Sequence, residues 1–108
     1  MIEVTLTYDF LHGMDRKAYD EWAKKAIVAL LKSSGIVEFR ANRNLMGSPQ
    51  VRLVAVWGHL SDWARFAESA EWPGIFDELR AKFATNVTMQ IWGPSPVAPE
   101  PLRPPKSA

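Results

Sequence analysis

The chain opens on a strict alternation: Ile2, Val4, Leu6 and Tyr8 fall on one side, and Glu3, Thr5, Thr7 and Asp9 on the other. A period of two over these residues, rich in β-branched and aromatic types, predicts a half-buried strand. Phe10 to Met14 reads as a loop, and Asp15 as an N-cap whose carboxylate accepts from free backbone N–H groups. A helix follows, because Tyr19, Trp22, Ala23, Ala26, Ile27, Leu30 and Leu31 make one apolar stripe at three-and-four spacing. Asp20, Glu21, Lys24, Lys25 and Lys32 take its wet face, and Gly35 is read as the left-handed stop.

The alternation resumes over Ile36 to Arg43, with Val37, Phe39 and Ala41 set against Glu38, Arg40 and Asn42. This is a second strand with one polar face. Asn44 to Gln50 forms a hairpin loop, and Val51 to Trp57 is apolar on both faces apart from Arg52, which predicts a central strand. Ser61 is the expected cap of a second helix carrying Trp63, Phe66, Ala67 and Ala70. Trp72-Pro73-Gly74 interrupts it, and Pro73 suits the first position of a further helix bearing Ile75, Phe76, Leu79 and Phe83. Asn86 to Trp92 alternates once more and predicts the fourth strand.

Strand, helix, strand, strand, helix, strand is the order of the α+β, ferredoxin-like βαββαβ arrangement. Right-handed crossovers place strands one and three in the centre of a four-stranded antiparallel sheet, with the helices on one face. The other face would carry Thr5, Thr7, Glu38, Arg40, Asn42, Thr88, Gln90 and Trp92, too polar for a dry core and too mixed for a freely solvated surface. A second copy of the same sheet is the natural cover, so a homodimer through that face is expected. Residues 1–92 make one domain; residues 93–108, holding six of the eight prolines, form a tail expected to be extended or disordered.

Composition narrows the function more than it defines it. Thirteen Lys plus Arg against twelve Asp plus Glu leave a net charge of +1, too balanced for nucleic-acid or anionic-membrane binding. No run is apolar and long enough to span a bilayer, and the first ten residues lack a signal-peptide pattern, so a cytoplasmic location is expected. The absence of cysteine excludes disulfides, iron–sulfur clusters and thiolate zinc. The chain shows no glycine-rich phosphate loop, G-x-S-x-G elbow or H-E-x-x-H, and no cofactor is implied.

The element order, the strand and turn VRLVAVWGHLSDW and the helical phrase WARFAESAEWPGIFDEL resemble the dimeric α+β barrel proteins, in particular the antibiotic-biosynthesis-monooxygenase-like (ABM) group. The resemblance covers residues 1–92 and implies two sheets packed face to face across a twofold axis, with helices outside. Members include cofactor-independent monooxygenases, haem-degrading enzymes and isomerases. It implies a ligand pocket between sheet and helices, which Tyr8, Trp57, Trp63, Phe66, Trp72 and Phe76 would line for a flat hydrophobic molecule. The haem-degrading pattern fails, because its Trp and axial His positions fall on Phe66 and Phe76, and a phenyl ring cannot ligate iron.

His12 and His59 are the only histidines. Each follows a strand leading to a helix, so the inferred topology puts both at one edge of the sheet, where Asp9 also ends. There they are candidates for general acid/base catalysis; as metal ligands they lack a diagnostic spacing. Arg40, Asn42, Arg52 and Gln90 either donate to an oxygen-rich ligand or satisfy one another and Glu3 or Glu38 across the dimer.

The leading reading is a homodimer that binds a hydrophobic aromatic molecule and oxidises or isomerises it without a cofactor. The alternative is a non-catalytic dimerisation or ligand-sensing module. An RNA-binding domain of the same element order would need aromatics central on strands one and three and a basic surface, which this chain lacks.

Overall fold

A computed structural model describes residues 1–105. It contains β1 (Ile2–Phe10), α1 (Arg16–Leu31), β2 (Ile36–Arg43), β3 (Val51–Trp57), α2 (Leu60–Ala67), α3 (Trp72–Glu78), a π-helical turn (Leu79–Phe83) and β4 (Ala84–Trp92). The strands form one antiparallel sheet in the order β2-β3-β1-β4, with β1 and β3 central as their patterns require. No described helix is long and apolar enough to cross a membrane.

Register divides the residues between two faces. Glu3, Thr5 and Thr7 stand opposite Val56, Val54 and Arg52 of β3 and opposite Trp92, Gln90 and Thr88 of β4. Glu38, Arg40 and Asn42 continue that open face across β2. Val4, Leu6 and Tyr8 look the other way, toward the helices, with Leu53, Ala55 and Trp57 beside them. Tyr8, Trp57 and Leu79 are wholly buried there, the deepest points of the core.

Polar ties fix both ends of the sheet. At one end the Asp9 carboxylate accepts from Ser48 Oγ (2.7 Å), the Gln50 backbone N–H (2.9 Å) and Asn86 Nδ2 (3.1 Å), joining β1, the hairpin and β4. At the other end the Gly58 N–H donates to the Gly35 carbonyl (2.9 Å), and Asp62 packs over Gly35. A Cβ on Gly35 would lie 2.2 Å from Asp62 Cγ, and φ is +91° there, so only glycine fits.

Asp15 caps α1 as expected, with Oδ1 accepting from the Ala18 N–H at 3.1 Å. Several local expectations change. Leu31 is exposed, while Ala29 is buried in the α1 interface, so the stripe rotates away from its last predicted member. Gly35 does not end α1, whose final turn closes at Lys32; it redirects the chain into β2. His59, not Ser61, occupies the N-cap of α2, and its backbone N–H donates to Asp62 Oδ2 at 3.1 Å. β4 begins two residues early because Asn86, at φ +54°, forms an irregularity that alternation cannot register. Gly93 to Pro105 lies outside helix and strand, and the last three residues of the predicted tail, 106–108, lie outside the described residues.

Candidate functional site

A cavity of about 220 Å³ lies between α1 and the helix-side face of the sheet. Val4, Leu6, Leu53 and Ala55 form its floor; Tyr19, Trp22 and Ala26 hang over it from α1; Trp63 and Trp72 close the far side. It exists because small residues face one another. Ala23 and Ala26 on the helix look down on Ala41 and Ala55 of the sheet, where larger side chains would fill the layer. The cavity reaches the surface along edge strand β2, where Phe39 is half-buried and Ala41, Asn42 and Arg43 are exposed.

The walls are held rigidly. Trp22 Nε1 donates to the Ile75 carbonyl at 2.9 Å, fastening α1 to the middle of α3. Tyr19 stacks on Trp22 with ring centres 5.8 Å apart, and Trp63 meets Trp72 edge-on at 5.7 Å. The Tyr19 hydroxyl lies 2.5 Å from that of Tyr8. Burial pushes the Tyr8 phenol far above the usual tyrosine range, and the hydrogen bond with Tyr19 adds to this. The Arg43 charge works weakly against them, so Tyr8 stays a neutral hydroxyl at physiological pH.

Of the six aromatics expected to line a pocket, the structure brings Trp63 and Trp72 to the cavity. Tyr8 and Trp57 are wholly buried beneath it. Phe66 fills the cluster around Trp57, at 5.4 Å between ring centres. Phe76 stacks on Trp72 at 5.4 Å and is capped on the other side by the Arg80 guanidinium. These four support the wall without forming it. Tyr19, Trp22, Phe39 and Met89, which do line the cavity, carried a weaker signal: α1 places Ala23 and Ala26 next to Tyr19 and Trp22.

The histidines are not brought together. β1 and β3 run antiparallel, with Ile2 opposite Trp57 and Tyr8 opposite Val51, so their C-terminal ends lie at opposite ends of the sheet. His12, in the turn after β1, shares an end with Asp9; His59 starts α2 at the far end. Both are exposed and neither lines the cavity, which removes the expected acid/base pair. No group of three or more His, Asp or Glu among the described residues could hold a metal ion.

The charged residues of the open face pair within a single chain, whereas Gln90 makes no side-chain hydrogen bond among the described residues. Arg40 bonds Glu3 Oε1 at 2.6 Å and also pairs with Glu38, arching over β3, while Arg52 donates to Asn42 at 3.2 Å. Val54 and Val56, which face this side, are only 6% and 7% exposed beneath that lattice.

No family model and no curated protein matches the chain. Solved structures do. SnoaB, a cofactor-independent oxygenase from Streptomyces nogalater, superposes with a TM-score of 0.74 at 15% identity over 92% of this chain and 97% of that one. A DABB-family protein with a ferredoxin-like fold from Mesorhizobium loti gives 0.73 at 10% identity, covering 87% and 96%. The hydroxynitrile lyase of Passiflora edulis gives 0.73 at 9% identity, covering 84% and 90%. The chain shares its backbone fold with these proteins, the ferredoxin-like arrangement of one four-stranded antiparallel sheet with helices on one face. Within this ferredoxin-like fold the likeness is one of backbone, and the alanine-floored cavity is described by this chain's own side chains.

Proposed function

We propose that this protein binds a flat, hydrophobic small molecule in the cavity between α1 and the sheet, and that it does so as a homodimer closed through the open sheet face. The observation that carries the binding reading is the cavity itself, apolar and aromatic-walled at about 220 Å³. That volume exceeds the ~150 Å³ that admits benzene and falls short of the ~300 Å³ of larger ligand sites, which suits one ring or a compact bicycle. The dimer is supported by Thr88, Gln90 and Trp92 standing exposed beside the Arg40 lattice on a face no helix covers.

Cofactor-independent oxygenation or isomerisation of that ligand is a second reading, favoured by the fold shared with an oxygenase of that kind and by the dry walls. In such a reaction the deprotonated substrate supplies its own electrons to oxygen. Binding ranks first, because no imidazole or carboxylate lines the cavity to take the proton.

Titration with planar phenols and quinones, followed by quenching of tryptophan fluorescence, tests the reading through Trp22, Trp63 and Trp72. Binding is expected for the protein as it stands and is lost in Ala26→Leu, which fills the cavity. Equal binding by both proteins overturns the site. Oxygen consumption with the same phenols separates the oxygenase from the ligand-sensing module.

A further inference from the structure

Two neutral phenols that share one hydrogen bond hold two hydroxyl hydrogens between them, and only one lies in the bond. The Tyr8 and Tyr19 oxygens are 2.5 Å apart, and neither hydroxyl has another hydrogen-bond partner among the described residues. One O–H of the pair is therefore unspent. Tyr8 is wholly enclosed and lies outside the cavity wall, whereas Tyr19 forms part of that wall. We propose that Tyr8 donates to Tyr19, and that Tyr19 directs its own O–H at a ligand, so the site selects flat apolar molecules bearing one hydrogen-bond-accepting oxygen, a carbonyl or an aromatic oxyanion.

The inference rests on the binding role assigned to this cavity and adds the chemistry of its occupant. Three features support it. Apart from Asn42 and Arg43, which line the cavity where it reaches the surface, and the indole N–H groups of its tryptophans, the wall is hydrocarbon, so the Tyr19 hydroxyl is one of few donors that can orient a ligand. Accepting a bond from Tyr8 polarises the Tyr19 O–H and makes it the stronger donor. Arg43, also on the wall, sits with its guanidinium carbon 4.7 Å from the Phe10 ring centre, and Phe10 in turn packs edge-on against Tyr19, so positive charge lies near the phenol end of the cavity. Tyr19 is the ligand-contacting group in this arrangement, and Tyr8 is a positioning residue.

The test compares indane with 1-indanone, two probes of nearly one shape that differ by a carbonyl oxygen. Tyr19→Phe is expected to weaken 1-indanone about tenfold, the loss of one well-placed hydrogen bond, while changing indane less than twofold. Tyr8→Phe is expected to give a smaller loss for 1-indanone and again leave indane unchanged, which a merely structural role would not do. If both variants weaken the two probes equally, or leave 1-indanone untouched, the donor role is overturned. If the unmodified protein binds neither probe, the cavity reading itself fails. Adding 1-naphthol across its own ionisation range separates the two oxygens: tighter binding of the anion than of the neutral phenol marks an oxyanion site, and the reverse, with 1-indanone bound more tightly than indane, leaves the carbonyl as the accepted oxygen.

Discussion

The two faces of the sheet are built from the same alternating strands and have opposite fates. On the helix side, Tyr8 and Trp57 reach complete burial because α1, α2 and α3 belong to the same chain and fold onto them. On the open side, Val54 and Val56 are nearly as buried, but their cover is a lattice of charged side chains, Arg40 reaching across to Glu3 and Glu38. Covalently tethered helices make the first face a core. The second is a face without a helix over it, with paired charges and an exposed Trp92, which the proposed second copy would cover. The lesson is that a strand's alternation specifies which residues share a face, whereas burial depends on what the rest of the molecule, or a second copy, lays on top.

The sharpest way to break this comparison is at its deepest point. Trp57→Ala is expected to lose about 3–5 kcal/mol of stability in chemical denaturation, a large share of the ~5–15 kcal/mol a domain possesses. Trp57→Phe should cost much less, because the indole N–H it removes has no hydrogen-bond partner among the described residues.

On the open face the corresponding substitution is Arg40→Glu, which sets three acidic side chains side by side. Its expected effect is on assembly: sedimentation should show the apparent mass drop from twice 12.2 kDa toward 12.2 kDa, with association weakened by about tenfold or more. A dimer unaffected by this change would place the twofold contact elsewhere.

Smaller effects sharpen the contrast. Tyr8→Phe should cost roughly 1 kcal/mol, the net worth of one buried hydrogen bond. Because burial raises the Tyr8 pKa above its ordinary 10.0, its contribution is complete below that pH and is lost as pH rises through the folded value. The alkaline limb of a stability–pH curve should therefore be flatter in Tyr8→Phe. Asp9 gives the mirror image at the rim. The Ser48 hydroxyl, then Asn86, holds its carboxyl below the usual 3.8, so its contribution is present above that pH and fades as pH falls through the lower folded value. Asp9→Asn, the smallest of these effects, should lower stability at neutral pH and converge with the unmodified protein in acid, giving a flatter acid limb read by thermal melts.

Much of the fold was legible before any coordinate. β2 coincides with its alternating run and β3 with its continuous apolar run, and the placement of β1 and β3 at the centre follows from the apolar continuity of Val51 to Trp57 and from crossover handedness. The site was legible only as a layer. Six aromatics were expected on its wall and two arrived, because each ring's environment depends on how α1, α2 and α3 are rotated against the sheet, and the sequence around Phe66 or Phe76 does not encode that rotation. The histidines show the same limit. A loop after a strand was correctly located in each case, yet the direction of that strand decided which end of the sheet the loop occupies.

By itself, then, the sequence determined the elements, their order and the division of each strand into an apolar and a polar side, since these depend on contacts a few residues apart. Tertiary structure decided where space remains and which oxygen faces it. Ala23 and Ala26 lie far along the chain from Ala41 and Ala55 and leave a void only when α1 settles over β2 and β3, and Tyr8 meets Tyr19 only when that same packing brings strand and helix together.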